Sequence, residues 1–155
     1  MRGINRFIGK FFACIHNGFS STLVRLKLLL SMAKNVLIVD DNEHLRQILA
    51  AILRFSGYEV VEAATGAQAI EKAASTQPSL ILMDFELPDI NGADATRLIR
   101  QNPATAHIPI VGCTAFIGSE WRERALAAGM LDYLVKPISA GLIKAKIEKF
   151  ILSRG

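Results

Sequence analysis

Five polar side chains that each follow a short apolar run are the strongest candidates for chemistry in this sequence: Asp40, Asp41, Asp84, Thr114 and Lys136. Carboxylates that lie together raise one another's pKa, so a cluster of three favours a bound cation. Hard oxygen ligands suit Mg²⁺, which typically uses one or two carboxylates directly and keeps several waters. Beside such an ion, the carboxylate of Asp84 can act as a nucleophile towards phosphorus and form an aspartyl phosphate.

Lys136 and Thr114 offer the remaining groups that phosphoryl transfer needs, because this reaction depends on charge stabilisation more than on help with bond making. The Lys136 ammonium can pair first with Asp84 and then with a phosphoryl oxygen, and the Thr114 hydroxyl can donate to another oxygen. Pro137 follows Lys136 at a predicted tight turn, so we predict a cis Lys136–Pro137 bond. Each residue alone is compatible with an ordinary polar strand end; the complete set is not.

The apolar runs before these residues predict buried strands. They span residues 36–39, 80–83, 108–113 and 133–135, and a weaker edge strand spans 58–61. Stretches with helical spacing alternate with them, at 45–53, 66–75, 91–101, 119–128 and 139–152. This alternation predicts an α/β protein of five βα units, with a parallel sheet covered by helices on both faces. The pattern resembles the flavodoxin-like, doubly wound (βα)5 fold, which implies a five-stranded sheet in the order 2-1-3-4-5. Such sheets bind ligands at the carboxyl ends of their strands, where the five polar residues lie.

The distribution of charge argues against a nucleic-acid partner. The chain has 155 residues and a formal net charge of +4, but five of its 18 basic residues precede residue 34 and none of its 14 acidic residues does. From Lys34 onward, 13 basic residues therefore face 14 acidic ones, which is not the basic surface that nucleic acid requires. The two cysteines, Cys14 and Cys113, lack metal-ligand spacing, which favours a reducing, cytoplasmic setting.

We divide the chain into a basic N-terminal extension, residues 1–33, and a domain at 34–155. One interpretation of the extension is an upstream start that the cell does not use, since the chain from Met32 resembles an ordinary domain start. The alternative is an amphipathic helix that lies on a membrane surface through residues 1–15. Its apolar face would consist of Ile4, Phe7, Ile8, Phe11, Phe12 and Ile15. Because the sequence ends soon after its last predicted helix, we expect no appended output domain.

The motifs together are similar to the receiver domains of bacterial response regulators, in the single-domain form typical of chemotaxis regulators. They are Val39-Asp40-Asp41, Leu82-Met83-Asp84-Phe85-Glu86-Leu87-Pro88 with Gly92 beyond, Thr114-Ala115, and Asp132-Tyr133-Leu134-Val135-Lys136-Pro137. The resemblance covers about residues 34–152. It implies a phosphoacceptor at Asp84 and a Mg²⁺ site formed by Asp40, Asp41, Asp84 and the backbone carbonyl of Glu86.

The resemblance also implies how the domain signals. Thr114 and Lys136 would contact the phosphoryl group, and Tyr133 would turn inward when Thr114 is drawn towards it. The phosphodonor would be a phosphohistidine on a histidine kinase or a phosphotransfer protein, and a downstream protein would bind the face made by the fourth helix, fifth strand and fifth helix. The chain would be no enzyme beyond catalysing its own phosphorylation and dephosphorylation.

Two other functional classes remain open at this point. A pseudo-receiver would keep the fold as a binding module and never take phosphate, although all the expected chemical groups are present. A phosphotransferase or hydrolase would use Asp84 as a nucleophile, but the usual Asp-x-Asp arrangement and a lid-sized insertion are both absent from the sequence.

Two aromatic residues carry further hypotheses. Phe116, two residues after Thr114, should border the path of attacking water and lengthen the life of an acyl phosphate, whereas the effect of Glu86 on the same path has no settled sign. Trp121 has the spacing to pack with its own helix, and the alternative is an exposed anchor for a partner.

Overall fold

The computed structural model of the protein describes residues 34–152, so the predictions for residues 1–33 lie outside the described part. The strands are β1 Asn35–Val39, β2 Glu59–Ala63, β3 Leu80–Asp84, β4 Ile110–Thr114 and β5 Asp132–Val135. The helices are α1 Glu43–Phe55, α2 Gly66–Thr76, α3 Gly92–Gln101, α4 Ser119–Ala128 and α5 Ala140–Ile147, and a π-helical turn, Glu148–Leu152, follows α5. Strand and helix alternate along the chain, as the sequence predicts.

The five strands form one sheet in the order β2-β1-β3-β4-β5. Every neighbouring pair in the sheet is parallel. The predicted flavodoxin-like topology is thereby confirmed. The residues of β3 and β4 are buried along the whole strand, whereas β2 at one edge is mostly half-buried, which explains its weaker apolar pattern.

Short polar side chains begin most of the helices. In four helices the residue before the first turn accepts a backbone N–H from three residues further on: Asn42, Thr65, Asn91 and Ser139. Glycines follow α1 and α4: Gly57 and Gly129 adopt φ angles of 86° and 94°, which favour glycine and end a helix. These caps fix where each helix meets the neighbouring strand.

Several predicted boundaries differ from the structure by one or two residues, and two of the differences stand out. The fourth strand begins at Ile110, two residues later than expected, because Pro109 has no N–H with which to join the ladder. The last helix is not uniform, since α5 ends at Ile147 and changes to a π-helical turn. Ile143, Ile147 and Ile151 nevertheless remain buried, so the apolar face of this segment persists through the change of pitch.

Apolar layers cover both faces of the sheet. One layer joins the sheet to α2, α3 and α4 through small residues such as Ala69, Ala95 and Ala125. The other joins it to α1 and α5 through residues such as Leu49 and Ile143. None of the helices in the described part is long and apolar enough to span a bilayer. The two layers leave the carboxyl edge of the sheet as the place where polar groups gather.

Candidate functional site

The five candidate residues lie at the carboxyl edge of the sheet. Asp40 and Asp41 directly follow β1, Asp84 ends β3, Thr114 ends β4, and Lys136 directly follows β5. Asp40, Asp84 and Thr114 are almost completely buried, with 2%, 3% and 1% of their surface exposed, whereas Asp41 is exposed. Because parallel strands end at the same edge, residues separated by nearly a hundred positions meet here.

Lys136 connects two of the acids directly. Its Nζ donates to Oδ2 of Asp40 at 2.7 Å and to Oδ2 of Asp84 at 2.9 Å. Its backbone N–H donates to the carbonyl of Thr114 at 2.8 Å, which joins the end of β5 to the end of β4. The Lys136–Pro137 peptide bond is cis, as predicted. The ammonium therefore lies between Asp40 and Asp84 and is tied to the fourth strand through its backbone.

Burial and pairing have opposite effects on the ionisation of these groups. Burial raises the pKa of Asp84, the Asp40 charge acts in the same direction, and the hydrogen bond and charge of Lys136 oppose this rise without cancelling it. Burial acts to lower the pKa of Lys136, but hydrogen bonds to Asp40 and Asp84 outweigh it, and the net change is a rise. The lysine is therefore firmly protonated, and its positive charge only partly compensates the buried acids.

Asp40, Asp41 and Asp84, which we call the acidic cluster, fit a divalent cation. Each offers a carboxylate oxygen, and these oxygens all lie within 4.8 Å of one another. Opposite ligands of Mg²⁺, with bonds of 2.0–2.1 Å, are about 4 Å apart, so small movements would complete such a site. Three carboxylates and one ammonium also leave a formal charge of −2, which a divalent ion neutralises.

The other predicted site residues surround this cluster. Glu86 donates its backbone N–H to Oδ1 of Asp84 at 3.2 Å, and its own side chain is exposed. Oγ1 of Thr114 accepts the backbone N–H of Phe116 at 3.1 Å. Tyr133 is half-buried and packs against the apolar layer beneath α4. The roles assigned to these three residues stay predictions. Glu86 follows β3, and Thr114 and Tyr133 lie on β4 and β5, the two strands beyond β3 in the sheet.

Cys113, the residue before Thr114, is inert in this arrangement. Its side chain is buried, and burial raises the pKa of its thiol to about 12. Because the thiolate is the form that binds metals and attacks electrophiles, the protonated thiol contributes neither a ligand nor a nucleophile. This agrees with the lack of metal-ligand spacing in the sequence.

Arg46 and Glu62 support the Asp40-Asp41 pair in a way that the sequence pattern does not predict. Arg46, in the first turns of α1, donates to the carbonyl of Asp40 at 2.7 Å. The Arg46 guanidinium also lies 3.6 Å from the carboxylate of Glu62 on β2, which pairs with Arg54 as well. An arginine one turn into the helix after two acids is a local signal, but its partner on β2 depends on the tertiary fold.

An aromatic stack adjoins the site on its α4 side. The rings of Phe116 and Trp121 are parallel to within 9° with centroids 4.8 Å apart, and Phe85 meets Trp121 edge-on at 5.4 Å. Arg124 covers Trp121 with its guanidinium 4.6 Å from the ring. Trp121 is half-buried against the layer that contains Ala125, so the packing interpretation is confirmed rather than that of an exposed anchor. Its strongest partners are aromatic residues that helical spacing alone does not reveal.

Known proteins share both this sequence pattern and this fold. The sequence model of one protein family, the response regulator receiver domain, matches residues 36–148 of this chain. The polar-differentiation response regulator DivK of Brucella ovis is 33% identical over 120 residues, which are 77% of this chain and 98% of that protein. The receiver domain of the sensor histidine kinase PA1611 from Pseudomonas aeruginosa, solved with a magnesium ion coordinated in its active site cleft, has a TM-score of 0.72 and 36% identity, covering 77% of this chain and 98% of that one.

A chemotaxis regulator gives a similar result. Vibrio cholerae CheY4 has a TM-score of 0.72 and 28% identity, covering 75% of this chain and 97% of that one. The match to the family model includes all five strands except Asn35, every residue of the acidic cluster, and Lys136. The chain therefore belongs to the response regulator receiver domains of two-component signalling, as a relative of DivK and of the chemotaxis regulators.

Proposed function

We propose that this protein is a phosphoacceptor of a two-component phosphorelay, in which Asp84 receives a phosphoryl group from a phosphohistidine on a histidine kinase or a phosphotransfer protein. The observation that carries this proposal is the buried Asp84 carboxylate, held by Lys136 at 2.9 Å beside two further acids. A buried carboxylate with a raised pKa is costly to keep, and such costs are concentrated at functional sites. Membership of the receiver family supports the same reaction.

The transfer itself is a single displacement at phosphorus. An oxygen of the Asp84 carboxylate forms a bond to phosphorus while the bond from phosphorus to the donor imidazole nitrogen breaks, and that electron pair returns to the nitrogen. The charge of the Asp84 carboxylate is used in the new bond and is balanced by the positive charge that the departing imidazole loses, while the phosphoryl oxygens bring their own negative charge to the site. Lys136, already bonded to Asp84 and Asp40, then pairs with one of these oxygens, and the Thr114 hydroxyl donates to another.

The residues that would hold Mg²⁺ are Asp40, Asp41 and Asp84, with the backbone carbonyl of Glu86. When bound, the ion neutralises charge on the phosphoryl oxygens and orients them for transfer. Two observations favour this assignment. The carboxylate oxygens are already close together, and the formal charge of the acidic cluster with Lys136 is −2. The protein's own part is to keep the acids in place and water away from Asp84.

Thr114 and Tyr133 form the proposed switch. The phosphoryl group carries about −1.5 to −2 charge and three strong acceptors, so it draws the Thr114 hydroxyl towards Asp84. Because the Thr114 hydroxyl oxygen accepts the backbone N–H of Phe116 at 3.1 Å, a movement of this hydroxyl would also shift the β4–α4 connection. Tyr133 turns inward in response, and a downstream protein reads the face formed by α4, β5 and α5. The chain catalyses only its own phosphorylation and dephosphorylation.

Residues 34–155 would form the receiver domain, and residues 1–33 would be a separate extension. We place the domain in the cytoplasm, where its kinase partner would act. The extension would either contact a membrane surface through residues 1–15 or be absent from the cellular protein. Intact-mass measurement of the native protein tests this: a product that begins at Met32 or Ala33 contradicts the membrane role, and a full-length product contradicts the unused start.

Incubation with acetyl phosphate and Mg²⁺, followed by mass spectrometry, tests the proposed reaction. We expect one phosphoryl adduct that resists acid and is labile to base, and that is absent from the Asp84→Asn variant. Asp94→Asn is the matched control, since Asp94 is an exposed acid on α3 that pairs with Arg97 and Asn91 outside the site. Failure to form any adduct would indicate a pseudo-receiver, and rapid continuous release of phosphate would indicate a hydrolase.

A further inference from the structure

The loop between β3 and α3, residues 85–91, is fixed at its base by backbone contacts. The N–H of Gly92 donates to the carbonyl of Phe85 at 3.0 Å, which closes the loop where it leaves the strand. The start of α3 also touches the backbone of Asp84, because a Cβ on Gly92 would lie only 1.9 Å from the Asp84 carbonyl oxygen. Glycine is therefore required at position 92 for this approach, and the base of the loop has little freedom.

The tip of this loop is fixed to a different element, α2. Oδ1 of Asp89 accepts the N–H of Gly66 at 2.8 Å, and Oδ2 accepts the N–H of Ala67 at 2.8 Å. These hydrogen bonds, of which the one from Ala67 has the larger effect, lower the pKa of Asp89 to about 2. The carboxylate is therefore ionised at any physiological pH. The negative charge also lies at the positive end of the helix. Asp89 thus joins the loop to the helix by two charge-assisted bonds.

Asp89 is not needed as the ordinary cap of α2. Thr65 already occupies the capping position, and its hydroxyl accepts the N–H of Gln68 at 3.1 Å. The loop tip is packed against the same helix end, because a Cβ on Gly66 would lie 2.4 Å from Cγ1 of Ile90. Two consecutive loop residues, Asp89 and Ile90, therefore meet α2 at a place where only a glycine leaves them room.

Glu86 lies between these two fixed points. Its N–H donates to Oδ1 of Asp84 at 3.2 Å, and its carbonyl is the proposed backbone ligand for Mg²⁺. A backbone ligand has no side-chain rotamer with which to adjust, so its position depends on the path of the whole loop. Leu87 and Ile90 pack against the core, which keeps the loop folded but does not fix the direction of a peptide group.

We propose that Asp89 is a positioning residue for the Mg²⁺ site: by tying the tip of the β3–α3 loop to the N-terminus of α2, it holds the peptide of Glu86 in place beside Asp84. This inference rests on the function proposed above. The helix α2 would then help to order the Mg²⁺ site although it contributes no residue to the acidic cluster. Loss of the Asp89 carboxylate weakens the binding of Mg²⁺ while the fold is kept.

Titration of the ¹⁵N-labelled protein with Mg²⁺, followed by NMR, tests the inference without any phosphodonor. We expect Asp89→Ala to raise the dissociation constant for Mg²⁺ about 10-fold. This is the lower end of the range found when a residue that supports a metal ligand, without itself binding the metal, is removed. Asp89→Asn, which has the same shape and keeps one acceptor oxygen, should lie between this variant and the wild type. The amide signals of Gly66 and Ala67 report whether the bonds to the loop are lost, and the remaining spectrum reports the fold.

Asp94→Ala is the matched control, because Asp94 is an exposed acid near the same loop, and among the described residues its carboxylate pairs with Asn91 and Arg97 rather than with α2. Its affinity for Mg²⁺ should equal that of the wild type. In phosphorylation by acetyl phosphate, Asp89→Ala should need more Mg²⁺ for half-maximal rate and reach a maximal rate close to that of the wild type.

An unchanged dissociation constant in Asp89→Ala would overturn the inference even if the melting temperature falls, since Asp89 would then only stabilise α2. A lower maximal rate at saturating Mg²⁺, with unchanged affinity, would also overturn it. If the wild type takes no phosphoryl group at all, the proposed function fails, whereas the Mg²⁺ titration still decides the role of Asp89.

Discussion

Replacing Lys136 by methionine should destabilise the metal-free protein strongly and make its stability depend more on Mg²⁺. The Lys136 ammonium is the cation that holds Asp40 and Asp84 together, at 2.7 Å and 2.9 Å. Methionine keeps much of the apolar stem but leaves two buried carboxylates facing each other without a positive charge. The formal charge of the site changes from −2 to −3, so both the repulsion and the attraction for a divalent ion increase.

The expected loss of stability follows from the two bonds that disappear. A hydrogen bond to a charged group contributes about 1.5–3 kcal/mol, and removal of one partner of a buried ion pair costs roughly 3–5 kcal/mol. Because the Lys136 side chain is 19% exposed, solvent screens part of the interaction, and we take the lower end of both ranges. The free energy of unfolding should fall by about 3 kcal/mol, which corresponds to roughly 10 °C in melting temperature for a domain of this size.

The dependence on pH has a definite sign. In the variant the pKa of Asp84 in the folded state lies even further above its unfolded value, because burial and Asp40 raise it and the opposing effect of Lys136 is gone. A raised acid pKa means that stability is retained below the unfolded pKa and is lost as pH rises through the folded pKa. The deficit of the variant should therefore be smaller at pH 5 than at pH 8.

Thermal unfolding with a chelator and with saturating Mg²⁺ measures these effects. Lys144→Met is the matched control, since the Lys144 side chain is 61% exposed and lies 3.9 Å from the Glu148 carboxylate, a surface ion pair outside the site. We expect a much larger stabilisation by Mg²⁺ in Lys136→Met than in the wild type or the control, because the ion replaces the missing charge. The reasoning is refuted if Lys136→Met melts together with Lys144→Met, or if Mg²⁺ stabilises it less than the wild type.

Three further results are expected. Asp84→Asn should raise the free energy of unfolding of the metal-free protein by about 1 kcal/mol at pH 8, because the pKa of Asp84 is raised and its ionisation opposes folding. In denaturant titrations this gain should disappear at acidic pH, and a gain that does not depend on pH would contradict the prediction. Phe116→Ala should shorten the half-life of the phosphorylated protein severalfold, measured by loss of radiolabelled phosphate, and an equal half-life would remove the proposed shielding. Cys113 should resist thiol reagents in the native protein and react after denaturation; stoichiometric native labelling would show that the β4 interior opens.

Much of the fold and of the site geometry could be predicted because the signals for both are local. Each polar motif directly follows a continuous apolar run, so the same stretch of sequence predicts a buried strand and places a side chain at its carboxyl end. Parallel pairing then brings Asp40, Asp84 and Lys136 to one edge without further information. The cis bond before Pro137 was predictable for the same reason, since a proline after a strand end restricts the turn.

The features that sequence analysis missed depend on contacts between distant elements. Glu62 is an unremarkable residue of an edge strand until α1 places Arg46 3.6 Å from it. Trp121 has helical spacing to Ala125, but its stacking on Phe116 depends on how the β4–α4 connection folds back. Asp89 likewise has no signal of its own, because its two partners lie more than 20 positions earlier in the chain.

If Asp84 accepts a phosphoryl group as proposed, the charge of the site would make this modification act as a switch. Without a metal ion, Asp40, Asp41 and Asp84 outweigh Lys136 by two charges. The pKa of Asp84 is raised, chiefly by burial and in addition by the charge of Asp40. Transfer of a phosphoryl group increases the negative charge at Asp84 from −1 to about −2, so a site without Mg²⁺ would become still less stable. The proposed phosphorylated state would therefore be favoured when nearby donors turn towards the new oxygens. Thr114, which donates no hydrogen bond to the acids in the structure, is the buried donor still available to do so.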